Sequence, residues 1–135
     1  MLPLCIVLVA VLASGCVLSR GALARQARRL HSAYRGSLGR QDFPAAVSAL
    51  NRLESLAPGN PSVQYDLACA LARAGEGEQA IAALHAAATG GFDFWQHATQ
   101  DPDLESIRGD DRMRSIMGVV KGNAEKMTEA MDDPY

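Results

Sequence analysis

The 135-residue chain predicts an all-α protein, a short α-solenoid of two helix pairs closed by a C-terminal capping helical segment. Three observations carry that expectation. Apolar residues recur at helical spacing in several windows, and no window alternates polar with apolar as a half-buried strand would. Apolar residues make up 48% of the chain but aromatic residues only 5%, so a core of Ala, Leu and Val must form by close approach of helix backbones and not around large rings. One pattern also repeats: Ala46, Val47 and Leu50 return at one constant offset as Ala80, Ile81 and Leu84.

The chain opens with Met1 to Leu18, which carries no charged side chain. Leu4 to Leu12 is a continuous apolar run, followed by Ala13, Ser14, Gly15 and then Cys16. This resembles a bacterial lipoprotein signal, in which small residues precede a cysteine that becomes the acylated N-terminus. The match lies at Ser14, Gly15 and Cys16. It departs at Ala13, where the family more often has Leu, and at the start, where the usual Lys or Arg is absent. The resemblance implies residues 1–15 as signal, lipidation at Cys16, and a domain lipid-anchored in the cell envelope, facing the periplasm. Two alternatives stay open. An uncleaved anchor would leave the domain in the cytoplasm, because Arg20, Arg25, Arg28 and Arg29 follow the apolar run; about 17 apolar residues span only roughly 25 Å, marginal for a bilayer core. An ordinary cleaved signal is the other.

Residues 16–22 read as a tether ending near Gly21. Leu23, Ala27, Leu30, Tyr34 and Leu38 then form one helical stripe, and Gly36 and Gly39 weaken the end of that helix. A turn follows at Gly39 to Phe43, with Asp42 as cap and Pro44 in the first turn of the next helix. Ala46, Val47, Leu50, Leu53 and Leu56 face inward, and Ala57-Pro58-Gly59 closes the pair, residues 23–59. The second pair, residues 60–91, opens on Asn60-Pro61. Val63, Leu67, Ala70, Leu71 and Ala74 make its first stripe, Gly75 stops that helix, and Ala80, Ile81, Leu84, Ala87 and Ala88 make the second. Ala68, Ala70, Ala80, Ala83 and Ala87 permit close backbone approach.

Leu67-Ala68, Leu71, Gly75, Ala80-Ile81, Leu84, Ala87 and the length of the period resemble the tetratricopeptide repeat, with Pro58 at the position of its closing proline. The first pair departs from that pattern: Gln41 stands where the helix-to-helix turn expects glycine, and Leu53 where alanine is usual. Residues 92–131 are expected to form C-terminal capping helices, and within them Phe92 to Met117 resembles the tail that closes small proteins of this kind, matching at Asp101, Pro102, Asp103, Leu104, Ile107, Arg108, Asp111, Arg112 and Met113. The role implied is capping, with Trp95, Leu104, Ile107, Met113 and Ile116 covering the open apolar edge. The last helix is expected over Asp111 to Val120, continuing weakly to Met131, because Gly118 and Gly122 argue against one rigid rod; residues 132–135 read as a frayed tail.

Charge is divided along the chain. Residues 17–40 hold six Arg and no acid, whereas residues 41–135 hold seven Lys or Arg against fifteen Asp or Glu. A basic entry segment beside an acidic body suggests something negative near the N-terminus, such as lipid head groups; a solvated helix face is the plainer alternative. The basic stretch lacks interleaved aromatics, which speaks against nucleic acid.

Nothing in the sequence assembles a catalytic constellation, and the expectation is a non-enzyme without cofactor. Cys69 stands alone once Cys5 and Cys16 are set aside, and reads as a small side chain in a helix, with Arg73 one turn away the single feature that could activate it. His31, His85 and His97 lack metal-ligand spacing. Asp101, Asp103 and Glu105 look like the opening of a calcium loop, but its glycine and distal Glu are missing, so they read as turn and cap residues.

The resemblance implies a protein–protein interaction module or scaffold. Ligands of that family lie in the concave groove lined by the first helix of each pair. Here that places Arg28, His31 and Arg35 opposite Ser62, Tyr65, Cys69 and Arg73, a mildly cationic groove for a protein or peptide partner. The family's carboxylate clamp of Lys and Asn is not reproduced at His31, Arg35, Tyr65 and Cys69. The alternative is a structural or assembly subunit, self-associating or part of an envelope complex such as a pilus or secretion machinery, because two repeats are few for stability.

Overall fold

The computed structural model describes residues 19–132. Cys5, Cys16, the signal, the first part of the tether and the last three residues lie outside that range. Six α-helices and one 3₁₀ helix follow one another, and no strand occurs among the described residues. They are α1 (Ser19–Gly39), α2 (Phe43–Leu56), α3 (Pro61–Arg73), α4 (Gly77–Thr89), α5 (Trp95–Gln100), the 3₁₀ helix Pro102–Ile107 and α6 (Asp111–Asp132). The all-α solenoid expected from the sequence is the observed architecture: α1 packs on α2, α2 on α3, α3 on α4, and α4 on α6.

Local chemistry sets the boundaries. Asp42 caps α2 by accepting from the Ala45 amide at 3.1 Å, and Asn60 caps α3 by accepting from Ser62 and Val63 at 3.0 and 3.3 Å. Each offers the first turn an acceptor it cannot find within the helix. Gly75 ends the second pair's turn at φ +84°. Gln41, its counterpart in the first pair, adopts φ +58°, so a side-chain-bearing residue holds the left-handed turn where the pattern expects glycine. The core follows the alanine-rich stripes: Ala46, Leu50, Ala68, Ala80, Leu84 and Ala87 have essentially no exposed surface.

Two boundaries differ from the sequence expectation. Helix α1 (Ser19–Gly39) runs through Gly21, taking in the end of the expected tether. Ala22 to Ala27 are mostly strong helix formers, enough to carry one glycine. Helix α6 is one 22-residue helix through Gly118 and Gly122. Met113, Ile116 and Val120 are buried on α4 and hold its first half, against the roughly 1 kcal/mol that each glycine costs.

The period also extends further than two pairs. The second helices start at Phe43, Gly77 and Asp111, evenly spaced by the offset that separates Ala46 from Ala80. Helices α3 and α5 start at Pro61 and Trp95, the same offset apart. The capping segment is therefore a third pair whose first helix is broken. Asp101-Pro102 falls where the second pair has Leu67-Ala68, and a proline inside a helix removes a hydrogen bond and clashes with the preceding turn. After the break, Pro102–Ile107 packs across α3, with Leu104 and Ile107 buried.

Candidate functional site

The seven groove residues do not form one open surface. Arg28, His31 and Arg35 lie on one exposed flank of α1, and Ser62 is exposed in the first turn of α3. Neither Arg28 nor Arg35 has an ion-pair partner among the described residues. Between these walls Tyr34 is half-buried; burial, followed by the nearby Asp66, pushes its hydroxyl pKa up.

Tyr65 and Cys69 are instead buried at 5% and 6% exposure, and this corrects their expected place on an open groove. What covers them is the chain's own Asp101, itself only 7% exposed. Its Oδ2 accepts from the Tyr65 hydroxyl at 2.6 Å and lies 3.2 Å from His97 Nε2 and 3.8 Å from Cys69 Sγ. Its Oδ1 accepts from the Asp103 amide at 2.9 Å, capping the 3₁₀ helix. Arg108 donates to the Asp101 carbonyl at 2.8 Å and to the Thr99 carbonyl. The Ser106 hydroxyl donates to the Ala72 carbonyl at 3.1 Å, tying the segment to α3. The Tyr65 ring stacks on Phe92 at 4.3 Å.

Burial, then the Asp101 hydrogen bond, raises the Tyr65 pKa, and burial followed by the Asp101 charge raises that of Cys69. A thiol beside a carboxylate and away from water is held protonated, the reverse of an activated nucleophile. Arg73 is exposed but engaged: it pairs with Asp103 at 2.8 Å and its guanidinium lies 4.7 Å from the Phe43 ring centroid.

The groove is consequently less cationic than the sequence suggested. Asp66, Asp101 and Asp103 all enter it, and sequence reasoning missed all three as groove residues. Asp66 carries a signal, since it is the one carboxylate between Asn60 and Ala74. Burial raises its pKa, His31 opposes that shift, and the Asp101 charge adds to it. Asp101 is the cap that the sequence predicts, but its bonds to Tyr65 and Cys69 join distant parts of the chain and have no local signature. At the groove mouth a recess of about 360 Å³ remains, lined by Ser62, Tyr65, Asp66, Phe92, Phe94 and His97, with Phe94 64% exposed at its edge.

Among the described residues, no group of His, Cys, Asp and Glu could hold a metal ion, and no helix is long and apolar enough to cross a membrane. Residues 37–90, from the last turn of α1 to the residue after α4, match the tetratricopeptide repeat family, whose members generally mediate protein–protein contacts. No curated protein and no solved structure matches the chain.

Proposed function

We propose that this chain is a protein–protein interaction module tethered to a membrane of a bacterial cell envelope through Cys16, facing the periplasm, with a partner segment bound along the open part of its groove. The observation that carries the binding half is the exposed flank of Arg28, His31 and Arg35, whose His31 acts electrostatically on Asp66 in the recess edged by Phe94. Two arginines without ion partners among the described residues offer charge-assisted hydrogen bonds to a segment laid against α1, and the recess offers an apolar seat for one side chain. The downstream half, at Tyr65 and Cys69, is filled by Asp101, so the bound segment is short. Support for the tether comes from the uncharged stretch before Arg20, which contains Ser14-Gly15-Cys16.

Two measurements test this. The intact mass of the protein from its native membrane fraction, beside a Cys16→Ser version, is expected to show a chain starting at Cys16 with added acyl mass that the variant lacks; an unmodified full-length chain in both refutes the tether and moves the domain to the other side of the membrane. Photo-crosslinking residues placed at Arg28, His31 and Arg35 are expected to trap one partner that the same residue at Glu129 does not; equal trapping at both sites refutes the groove. A second reading, an assembly subunit that self-associates, draws on Met127 and Met131, which are 54% and 80% exposed on the projecting end of α6. Its expected sign is a mass that rises with concentration and stops rising in a Met127→Gln/Met131→Gln version.

A further inference from the structure

On the opposite flank of α1 from the groove, a cleft of about 610 Å³ lies between α1 and α2. Arg25, Gln26 and Arg29 line it from α1, Leu30 forms its floor, and Arg52 enters from α2. No carboxylate lines it, and none of the three arginines has an ion pair among the described residues. Residues 19–56 hold seven arginines against two carboxylates, so the charge is not compensated nearby. Guanidinium groups stay charged at any physiological pH, and three converging on one cleft repel each other until an anion joins them. Their planar forks suit the paired oxygens of a phosphate, and the cleft is of the size that holds a small ligand.

Position narrows the source of that phosphate. Arg25 follows closely on Ser19, the end of the uncharged N-terminal stretch. Helix α1, at 21 residues, is longer than its partner α2, at 14, so its first turns extend past the pair, where Leu23 is 43% exposed. We propose that the α1–α2 cleft holds the phosphate of an anionic glycerophospholipid head group, clamped by Arg25, Arg29 and Arg52. This rests on the membrane-tethered half of the reading above for the source of the ligand, and on the cleft alone for its chemistry. It differs from general attraction of a basic segment, because Arg52 belongs to the site although it comes from the next helix and lies outside the basic stretch.

The test uses the full chain in neutral detergent micelles, titrated with phosphatidylglycerol or phosphatidylcholine and read by native mass spectrometry. One retained phosphatidylglycerol per chain is expected, preferred at least tenfold over phosphatidylcholine. Arg52→Gln is expected to cut that preference roughly fivefold, the effect of one arginine near a lipid surface. Arg35→Gln removes the same charge from the other flank and is expected to leave it nearly unchanged. Both side chains are exposed, and circular dichroism checks that each variant stays helical. Equal losses from Arg35→Gln and Arg52→Gln, or no phosphatidylglycerol preference at all, overturn the proposal. So does displacement of the lipid by millimolar inorganic phosphate, which would make free phosphate the ligand. Because the lipid is offered in micelles, the preference is read whether or not Cys16 is acylated. A retained preference on a chain whose native Cys16 is unmodified supports the cleft and refutes the tether; a lost preference on an acylated chain does the opposite.

Discussion

Asp101 is the residue on which the closure of the groove depends, and its removal can be worked through in energy. The carboxylate takes a 2.6 Å hydrogen bond from the buried Tyr65 hydroxyl and caps the 3₁₀ helix through the Asp103 amide. A buried bond to a charged acceptor contributes about 1.5–3 kcal/mol, and a cap about 1 kcal/mol. Asp101→Ala removes both and leaves the Tyr65 hydroxyl buried without an acceptor, so a loss of about 3–4 kcal/mol is expected. Asp101→Asn keeps the volume and an oxygen for the cap but loses the charge, for about 1–2 kcal/mol. Tyr65→Phe keeps the stacking on Phe92 and removes only the donor, again for about 1–2 kcal/mol.

The informative quantity is the coupling between the last two. Urea denaturation of the full chain, followed by helical circular dichroism, gives the stabilities of both single variants and the double. If the bond is as drawn, the double variant costs clearly less than the sum, with a coupling of about 1 kcal/mol or more. Additivity to within about 0.3 kcal/mol would refute the reasoning, because it would mean that Tyr65 and Asp101 share no interaction. Hydrogen exchange supplies a local readout: amides of residues 103–107 should lose protection in Asp101→Ala before those of α2 do.

Three further predictions follow from single observations. Gln41→Gly should raise stability by about 1 kcal/mol in the same urea assay, because φ +58° is strained for any residue with a Cβ. Gly118→Ala and Gly122→Ala should each add about 1 kcal/mol, since a Cβ at either position meets nothing within 4 Å; a loss would refute the reading that these glycines only weaken α6. Asp66→Asn should be more stable than the parent at neutral pH, with the gap closing below about pH 4. The sign follows from a folded-state pKa raised by burial: the favourable, protonated form is fully present below the unfolded value, and its benefit is lost as pH rises through the folded one. A gap that widens on acidification in a urea titration series would contradict it.

The two inner helix pairs are legible in the sequence because their signals are local and redundant. Asn60 and Asp42 cap where short polar side chains should, and Ala46/Ala80 and Leu50/Leu84 repeat at the same offset on buried faces. The third pair is hidden because the repeat's own residues do not continue: Arg114, Ser115 and Gly118 stand where the next period would place Ala80, Ile81 and Leu84. Among the described residues α6 buries a single stripe, Met113, Ile116 and Val120, and its other faces are mostly exposed. The exposure of Arg28, His31 and Arg35 is legible by position on α1, where no described element covers them. On α3 exposure is not legible, because the cover arrives from residue 101 and a helix face does not reveal what will fold over it.

The broken third pair ties these features together. A complete first helix there would run on past residue 101 in the manner of α3. The Asp101-Pro102 break turns the backbone, so that a short 3₁₀ helix lies over α3 and buries Leu104 and Ile107. The face of α3 that carries Tyr65 and Cys69 is thereby covered by the chain's own closing segment. Charge follows the same division. The carboxylates that arrive with the closing segment, Asp101 and Asp103, meet Tyr65 and Arg73, whereas the arginines of α1 keep no such partners among the described residues. Unpaired positive charge is therefore left on both flanks of α1, the helix that follows the uncharged N-terminal stretch, and an Asp101 substitution that releases the closing segment should uncover Tyr65 without altering either flank.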